Sequence, residues 1–215
     1  WKVVAGKWTM RQHGGGLAET EAEIENYSVQ RAVNPFSVIG SQSGVLSLGN
    51  RPWFHAHVEA RFYFGRPKTG NVVDWNSLPV GTDMMLAQGR LDGRHVAFGW
   101  SGSDKRFLLK QRSGDGKWET LWTAPGKRPP VTNWVRIGLS VAAGCRARAW
   151  LDGKCLADIA LKHRIEGPLH VIAGQDEMEF DDVRAWTLPA PADRGAALFV
   201  QSRQFAGKKR KGHAD

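Results

Sequence analysis

Helical periodicity is nearly absent from this sequence, long apolar runs are missing, and tyrosine and cysteine occur only twice each. The first lack argues against a helical fold, because amphipathic helices repeat their apolar positions every three to four residues. No apolar stretch approaches the ~20 residues that cross a bilayer, so no transmembrane segment is expected. Cys145 and Cys155 open two successive strand-like runs. In a hairpin they fall at opposite ends, roughly 17 Å apart, beyond the ~7 Å Cα separation that a disulfide tolerates. Cysteine usage therefore carries no information on compartment. There is also no initiator Met. The chain opens at Trp1, which reads as a processed, exported protein (periplasmic or extracellular) or as a fragment. Gly14-Gly15-Gly16 lacks the strand-to-helix context and the Lys-Ser/Thr of a phosphate loop. No Ser-His-Asp or Cys-His set can be assembled from spacing alone.

What the chain does have is rings, glycine and positive charge. Ten Trp and nine Phe in 215 residues supply a core and leave rings over for a surface, and 25 Gly imply many tight turns. A length of this order suits one large β domain, and 41% hydrophobic with 24% charged residues is ordinary for a globular protein. The formal net charge is +9, with +4 of it on the residues from Thr187 onward. A basic balance favours an anionic partner such as an acidic glycan, a phospholipid surface or nucleic acid. Lys208, Lys209, Arg210 and Lys211 form a compact cluster, read either as a partner-binding element or as a solvated tail.

Two-residue alternation dominates the chain. Phe54, Ala56, Val58, Ala60, Phe62 and Phe64 fall on one face of a run, and His55, His57, Glu59, Arg61 and Tyr63 on the other. That is a strand with one side in a core and one polar side. Further strands read at 45–48, 84–88, 95–100, 107–112 and 118–122. A meander follows at 135–141, 146–151 and 155–161, turning at Ala143-Gly144 and Asp152-Gly153, and the last strands fall at 169–173 and 178–186. Asp-Gly between alternating runs is a hairpin signal, because type I′ turns require positive φ. Such strands bury two apolar faces against each other, which predicts an all-β, two-sheet antiparallel sandwich or jelly roll over 1–188. A Pro/Ala linker and an irregular basic tail fill 189–215.

The order of motifs resembles the concanavalin A-like lectin/glucanase superfamily. Gly6-Lys7-Trp8, a Gly-rich turn and the long strand after Trp53 are similar to the opening of these modules. Asn133-Trp134-Val135-Arg136-Ile137, the Leu151-Asp152-Gly153 turn, Gly167-Pro168-Leu169 and the closing Phe180-Asp181-Asp182-Val183 resemble their later strands. Bacterial laminin-G-like domains and 3-keto-disaccharide hydrolase-like domains are the relatives this suggests. The resemblance implies the sandwich fold. It leaves lectins, hydrolases, lyases and adhesion modules all open.

Several residue sets follow from these readings. Glu19, Glu21, Glu23 and Glu25 alternate on one face, and i, i+2 carboxyls suit a retaining glycosidase; the other reading is a solvated acidic face. His55, His57, Glu59, Arg61 and Tyr63 offer ligand contacts, a lyase-like His57/Tyr63 pair, a His-x-His metal site with no third ligand, or an exposed polar face. Arg146, Arg148 and Trp150 alternate as a set suited to anionic sugars, or as ordinary outward charge. The resemblance implies a structural calcium at Asp181 or Asp182; otherwise these acids cap loop amides. No other cofactor is expected. The expectation drawn from all of this is a non-catalytic module for a carbohydrate or a protein partner, its tail aiding attachment to an anionic partner or to a larger assembly. The alternative is a carbohydrate-active enzyme using Glu21/Glu23 or His57/Tyr63.

Overall fold

The computed structural model describes residues 2–12, 36–63, 80–125 and 134–189. Over these residues the chain forms β1 (Lys2–Gln12), β2 (Phe36–Ser47), β3 (Ala56–Tyr63), β4 (Met84–Gly89), β5 (His95–Ser101), β6 (Arg106–Arg112), β7 (Trp118–Thr123), β8 (Trp134–Ala142), β9 (Arg146–Leu151), β10 (Lys154–Ala160), β11 (Leu169–Ala173) and β12 (Met178–Thr187). Every strand pairing is antiparallel. The hydrogen-bonded order is β10-β9-β8-β3-β12-β2-β11-β4-β5-β6-β7, with β1 paired to β2.

This path folds over on itself at β2. The first half of β2 pairs with β12 and the second half with β11. Between the halves, Gln42 and Ser43 adopt φ of 58° and 54° and break the pleat. Two layers result, β10-β9-β8-β3-β12 and β11-β4-β5-β6-β7, with β3 and β8 lying against β4 and β5. Their inner faces share one core. Phe62, Phe98, Trp100, Phe107 and Phe180 are all buried there, with Phe62 against Phe180 at 6.1 Å and Trp100 edge-on to Phe107 at 5.5 Å. This is the all-β sandwich that alternation predicts. Val58, Phe62, Ile137, Leu139 and Phe180 all occupy the core as expected.

Phe54 does not. It is 37% exposed, because β3 begins only at Ala56 and residues 53–55 form a bend. Trp53 bridges Gly167 there, while the Phe54 ring meets the Arg164 guanidinium at 4.3 Å. The strands β1 and the first half of β2 also exceed what alternation reveals. Gly6, Gly40 and Gly44 interrupt the pattern, since Trp8 lies over Gly40 and Gly44 where any Cβ would strike its ring. Both hairpin turns of the meander are as expected. Ala143 and Gly144 have φ of 48° and 68°, Asp152 and Gly153 of 47° and 77°, the two positive values of a type I′ turn. Cys145 and Cys155 are exposed and free. The Gly14–Gly16 run, the Glu19–Glu25 stretch, Phe64 and the basic tail from 190 lie outside the described residues.

Candidate functional site

Register determines what the outer face of the β10-β9-β8-β3-β12 layer displays. In β3 and β8, Val58, Ala60, Phe62, Ile137 and Leu139 point inward, so their neighbours point out. Pairing aligns these neighbours in rungs across the sheet. One rung is Asp158, Arg148, Ser140, His57 and Trp186. The next is Trp150, Gly138, Glu59 and Arg184. A third holds Arg136, Arg61 and Asp181, and a fourth Trp134, Tyr63 and Glu179. Chain segments far apart in sequence thus build one polar, ring-bearing surface.

At its centre is a half-buried charge cluster. Arg136 Nη1 donates to Glu59 Oε1 at 2.7 Å, and its Nη2 lies 3.6 Å from Asp182 Oδ2. Arg61 and Arg184 approach the same Asp182 oxygen at 3.8 and 3.9 Å. Burial pushes the Glu59 carboxyl up, but its contact with His57 and the Arg136 charge outweigh this and hold it below its usual value. Asp182 reaches the cluster through a bulge. Between Asp181 and Arg184 the ladder with β3 slips by one residue, and Asp182 takes φ 50° with its N–H donating to Asp181 Oδ1 at 2.6 Å. A bulge re-aims a side chain in this way. The two acids therefore do not divide between opposite faces as regular alternation would have them.

His57 is almost fully buried within this face. It lies beside the indole of Trp186 at 4.4 Å between ring centres, and Trp150 stands edge-on to it at 6.2 Å. The Trp150 indole donates to Ser140 Oγ at 2.8 Å, and that oxygen is 2.6 Å from His57 Nδ1. Ser140 is buried, so its own proton is satisfied by donation to Nδ1. His57 then carries its proton on Nε2, which faces Glu59 Oε2 at 3.6 Å. Donation runs from Trp150 through Ser140 to His57; the Glu59 carboxylate then faces His57 with one oxygen and accepts from Arg136 with the other, and Arg136 reaches on to Asp182. Gly138 makes room for this arrangement: a Cβ there would stand 3.1 Å from His57 Cε1 and 3.2 Å from Trp150 Cβ. Although Ser, His and Glu stand in series, Ser140 is only 2% exposed. The series orients Glu59.

The other residues singled out by sequence divide between this face and elsewhere. His55 lies apart, accepting the Ala143 N–H on Nδ1 and donating from Nε2 to Pro189 O, both at 2.8 Å; it ties the β8–β9 turn to the end of β12. Arg146 and Arg148 both hold Asp158, at 2.5 and 3.0 Å. Burial raises the Asp158 carboxyl, yet these two guanidiniums bring it below its usual value. His57 and Tyr63 share the face but stand six residues apart on β3, about 20 Å, too far to act on one ligand atom. Glu21, Glu23, Lys208, Lys209, Arg210 and Lys211 lie outside the described residues. Asp182 does not fit a calcium site, because three guanidiniums crowd its Oδ2 within 4 Å and calcium takes oxygen ligands; Asp181 accepts the Asp182 N–H. Among the described residues no group of three His, Cys, Asp or Glu is placed to hold a metal.

Sequence reading missed Arg136, Ser140, Gly138 and Trp186. A signal for three of them was present, since each falls between two core residues of an alternating run. Their convergence with β3 depends on strand order, which alternation does not encode.

No protein-family model matches the chain, and no curated protein matches it by sequence. Solved structures do resemble it. The carbohydrate-binding module CBM66 from Bacillus subtilis superposes with a TM-score of 0.57 at 13% identity, covering 87% of this chain and 95% of that one. Sheep galectin-11 gives a TM-score of 0.43 at 10% identity over 67% of this chain and 98% of its own. Toad ovary galectin in complex with thio-digalactose gives 0.43 at 11% over 68% and 99%. At these identities the likeness is one of fold, and the fold is that of the concanavalin A-like lectins and glucanases.

Proposed function

We propose that this concanavalin A-like sandwich is a non-catalytic carbohydrate-binding module that reads its ligand on the outer face of the β10-β9-β8-β3-β12 layer. One observation carries the reading. The Glu59–Arg136–Asp182 cluster, with side chains 15–28% exposed, lies one rung from Trp186, a residue that is 39% exposed. Sugars present C–H faces that pack on a flat ring and hydroxyls that donate and accept at once. An alternation of carboxylate and guanidinium answers each hydroxyl with an acceptor and a donor. The Bacillus subtilis neighbour is a carbohydrate-binding module, which supports the same class. A polar network already satisfied within the protein also costs little reorganisation on binding.

Titration calorimetry against a glycan panel tests this with Trp186→Ala and Glu59→Gln. Each substitution should weaken binding about tenfold or more, which is about 1.4 kcal/mol. Trp186→Ala should leave the melting temperature nearly unchanged, because the ring is largely outside the core. A glycan that binds equally well to both variants, or maps to the β11-β4-β5-β6-β7 layer, would remove the proposal.

A further inference from the structure

The polar face extends well beyond the cluster, and its far end has the same chemistry as the near one. Trp134 and Tyr63 pair across β8 and β3 with ring centres 5.2 Å apart, and the Arg61 guanidinium covers Trp134 at 5.2 Å. Both residues are half-buried. Along β3 this pair stands six residues from the rung of His57 and Trp186, about 20 Å at roughly 3.3 Å per residue. The two rungs between carry Glu59, Arg61, Arg136, Asp181 and Arg184, with the bulged Asp182 beside them. A ring platform at each end with hydrogen-bonding groups along the middle is longer than one sugar ring.

We infer that the face holds a linear oligosaccharide laid along β3, with Trp134 and Tyr63 as a second ring platform, and that the glycan is uncharged. The inference rests on the carbohydrate-binding reading above. Length follows from the register. Neutrality follows from charge: Glu59, Asp181 and Asp182 balance Arg61, Arg136 and Arg184, so the centre offers no net attraction to an acidic sugar despite the chain's overall charge of +9. A uronate would also compete with Glu59 and Asp182 for the guanidiniums they already engage, whereas a hydroxyl can join the alternation without breaking it.

Affinity measured along ladders from mono- to hexasaccharide separates the outcomes, using β-glucan, xylan, mannan and fructan series with oligogalacturonate as the acidic counterpart. One neutral series should gain about tenfold or more in affinity as the chain lengthens. Trp134→Ala should erase that gain and leave the shortest binding member unaffected, while Trp186→Ala weakens every member. Tyr63→Ala serves as a second probe of the same platform, and the melting temperature reports on folding of each variant. Affinity that is complete at the mono- or disaccharide, or equal loss of short and long ligands in Trp134→Ala and Tyr63→Ala, would overturn the extended site and leave the binding reading standing. Preference for oligogalacturonate would overturn neutrality. Failure of every series would remove both the inference and the reading beneath it.

Discussion

Ser140 shows how one small side chain governs a surface it does not reach. Its hydroxyl accepts from the donor-only Trp150 indole and so has its proton left for His57 Nδ1. That leaves an N–H on the side of Glu59. Ser140→Ala removes the link to His57, together with the acceptor of the Trp150 indole, without touching Glu59. We expect ¹⁵N spectra of the imidazole to lose the Nε2-protonated pattern, glycan affinity to fall about fivefold for the roughly 1 kcal/mol of one hydrogen bond, and Ser140→Thr to recover most of both. In a Glu59→Gln background the Ser140→Ala loss should nearly vanish, because coupled residues are not additive. An imidazole that keeps Nε2–H in Ser140→Ala would show that something other than this hydroxyl orients it. Asp182 is the counterpart on β12: a non-glycine residue at positive φ is uncommon and concentrates at functional sites, and here the bulge turns its carboxylate into the cluster.

At the scale of the element, β3 carries both the core and the site. Val58, Ala60 and Phe62 are fully buried on one side, while Glu59, Arg61 and Tyr63 face the candidate ligand from the other. Because side chains alternate with period two, a slip of one residue would exchange the two faces entirely. Phe62, packed against Phe180, therefore pins the register of the site. Truncating Phe62 to Ala should cost about 3–5 kcal/mol in urea unfolding, the usual range for a buried phenylalanine. A cost below 1 kcal/mol would mean the ring is not enclosed as the register requires. The second layer is constructed differently. In β4 and β5 every residue is buried, including Met85, Ala87 and Ala97 on the face turned away from the core. Strands buried on both sides lose the simple alternation by which β3 is recognised.

At the scale of the molecule, two buried imidazoles make stability depend on pH. Burial lowers His95 below its usual 6.5, partly offset by hydrogen bonds to backbone carbonyls, and lowers His170 in the same way, offset by the Gly89 carbonyl. The unfolded chain takes up these protons as pH falls through about 6.5, whereas the folded chain resists until the pH is lower. Between those points the unfolded state binds more protons, so stability falls as pH falls; once the folded histidines also titrate, the loss levels off. Glu59 has the carboxylate pattern. Its stabilisation is present above the usual 4.5 and is lost as pH drops through its lowered folded value. Unfolding free energies measured from about pH 8 to pH 3 should show two descending steps. His170→Gln should shrink the upper step, and Glu59→Gln the lower. An upper step unchanged in both His95→Gln and His170→Gln would show that these imidazoles titrate alike folded and unfolded.

By itself the sequence determined the class of fold and the polarity of each strand face. Period-two alternation places Val58, Phe62, Ile137, Leu139 and Phe180 inward, and the Asp152-Gly153 turn was set by residues that tolerate positive φ. These are local properties, written in neighbouring positions. Only the tertiary structure decided that His57 on β3, Ser140 and Arg136 on β8, Trp150 on β9 and Asp182 and Trp186 on β12 share one surface. Strand order and ladder register are long-range choices, made by burying two sheets against each other. A bulge such as that at Asp182, or a bend such as that at Phe54, shifts the alternation by one residue with little trace in composition. The inward residues could be read from pattern because burial needs only an apolar side chain at the right spacing; the site could not, because it is defined by which strands meet.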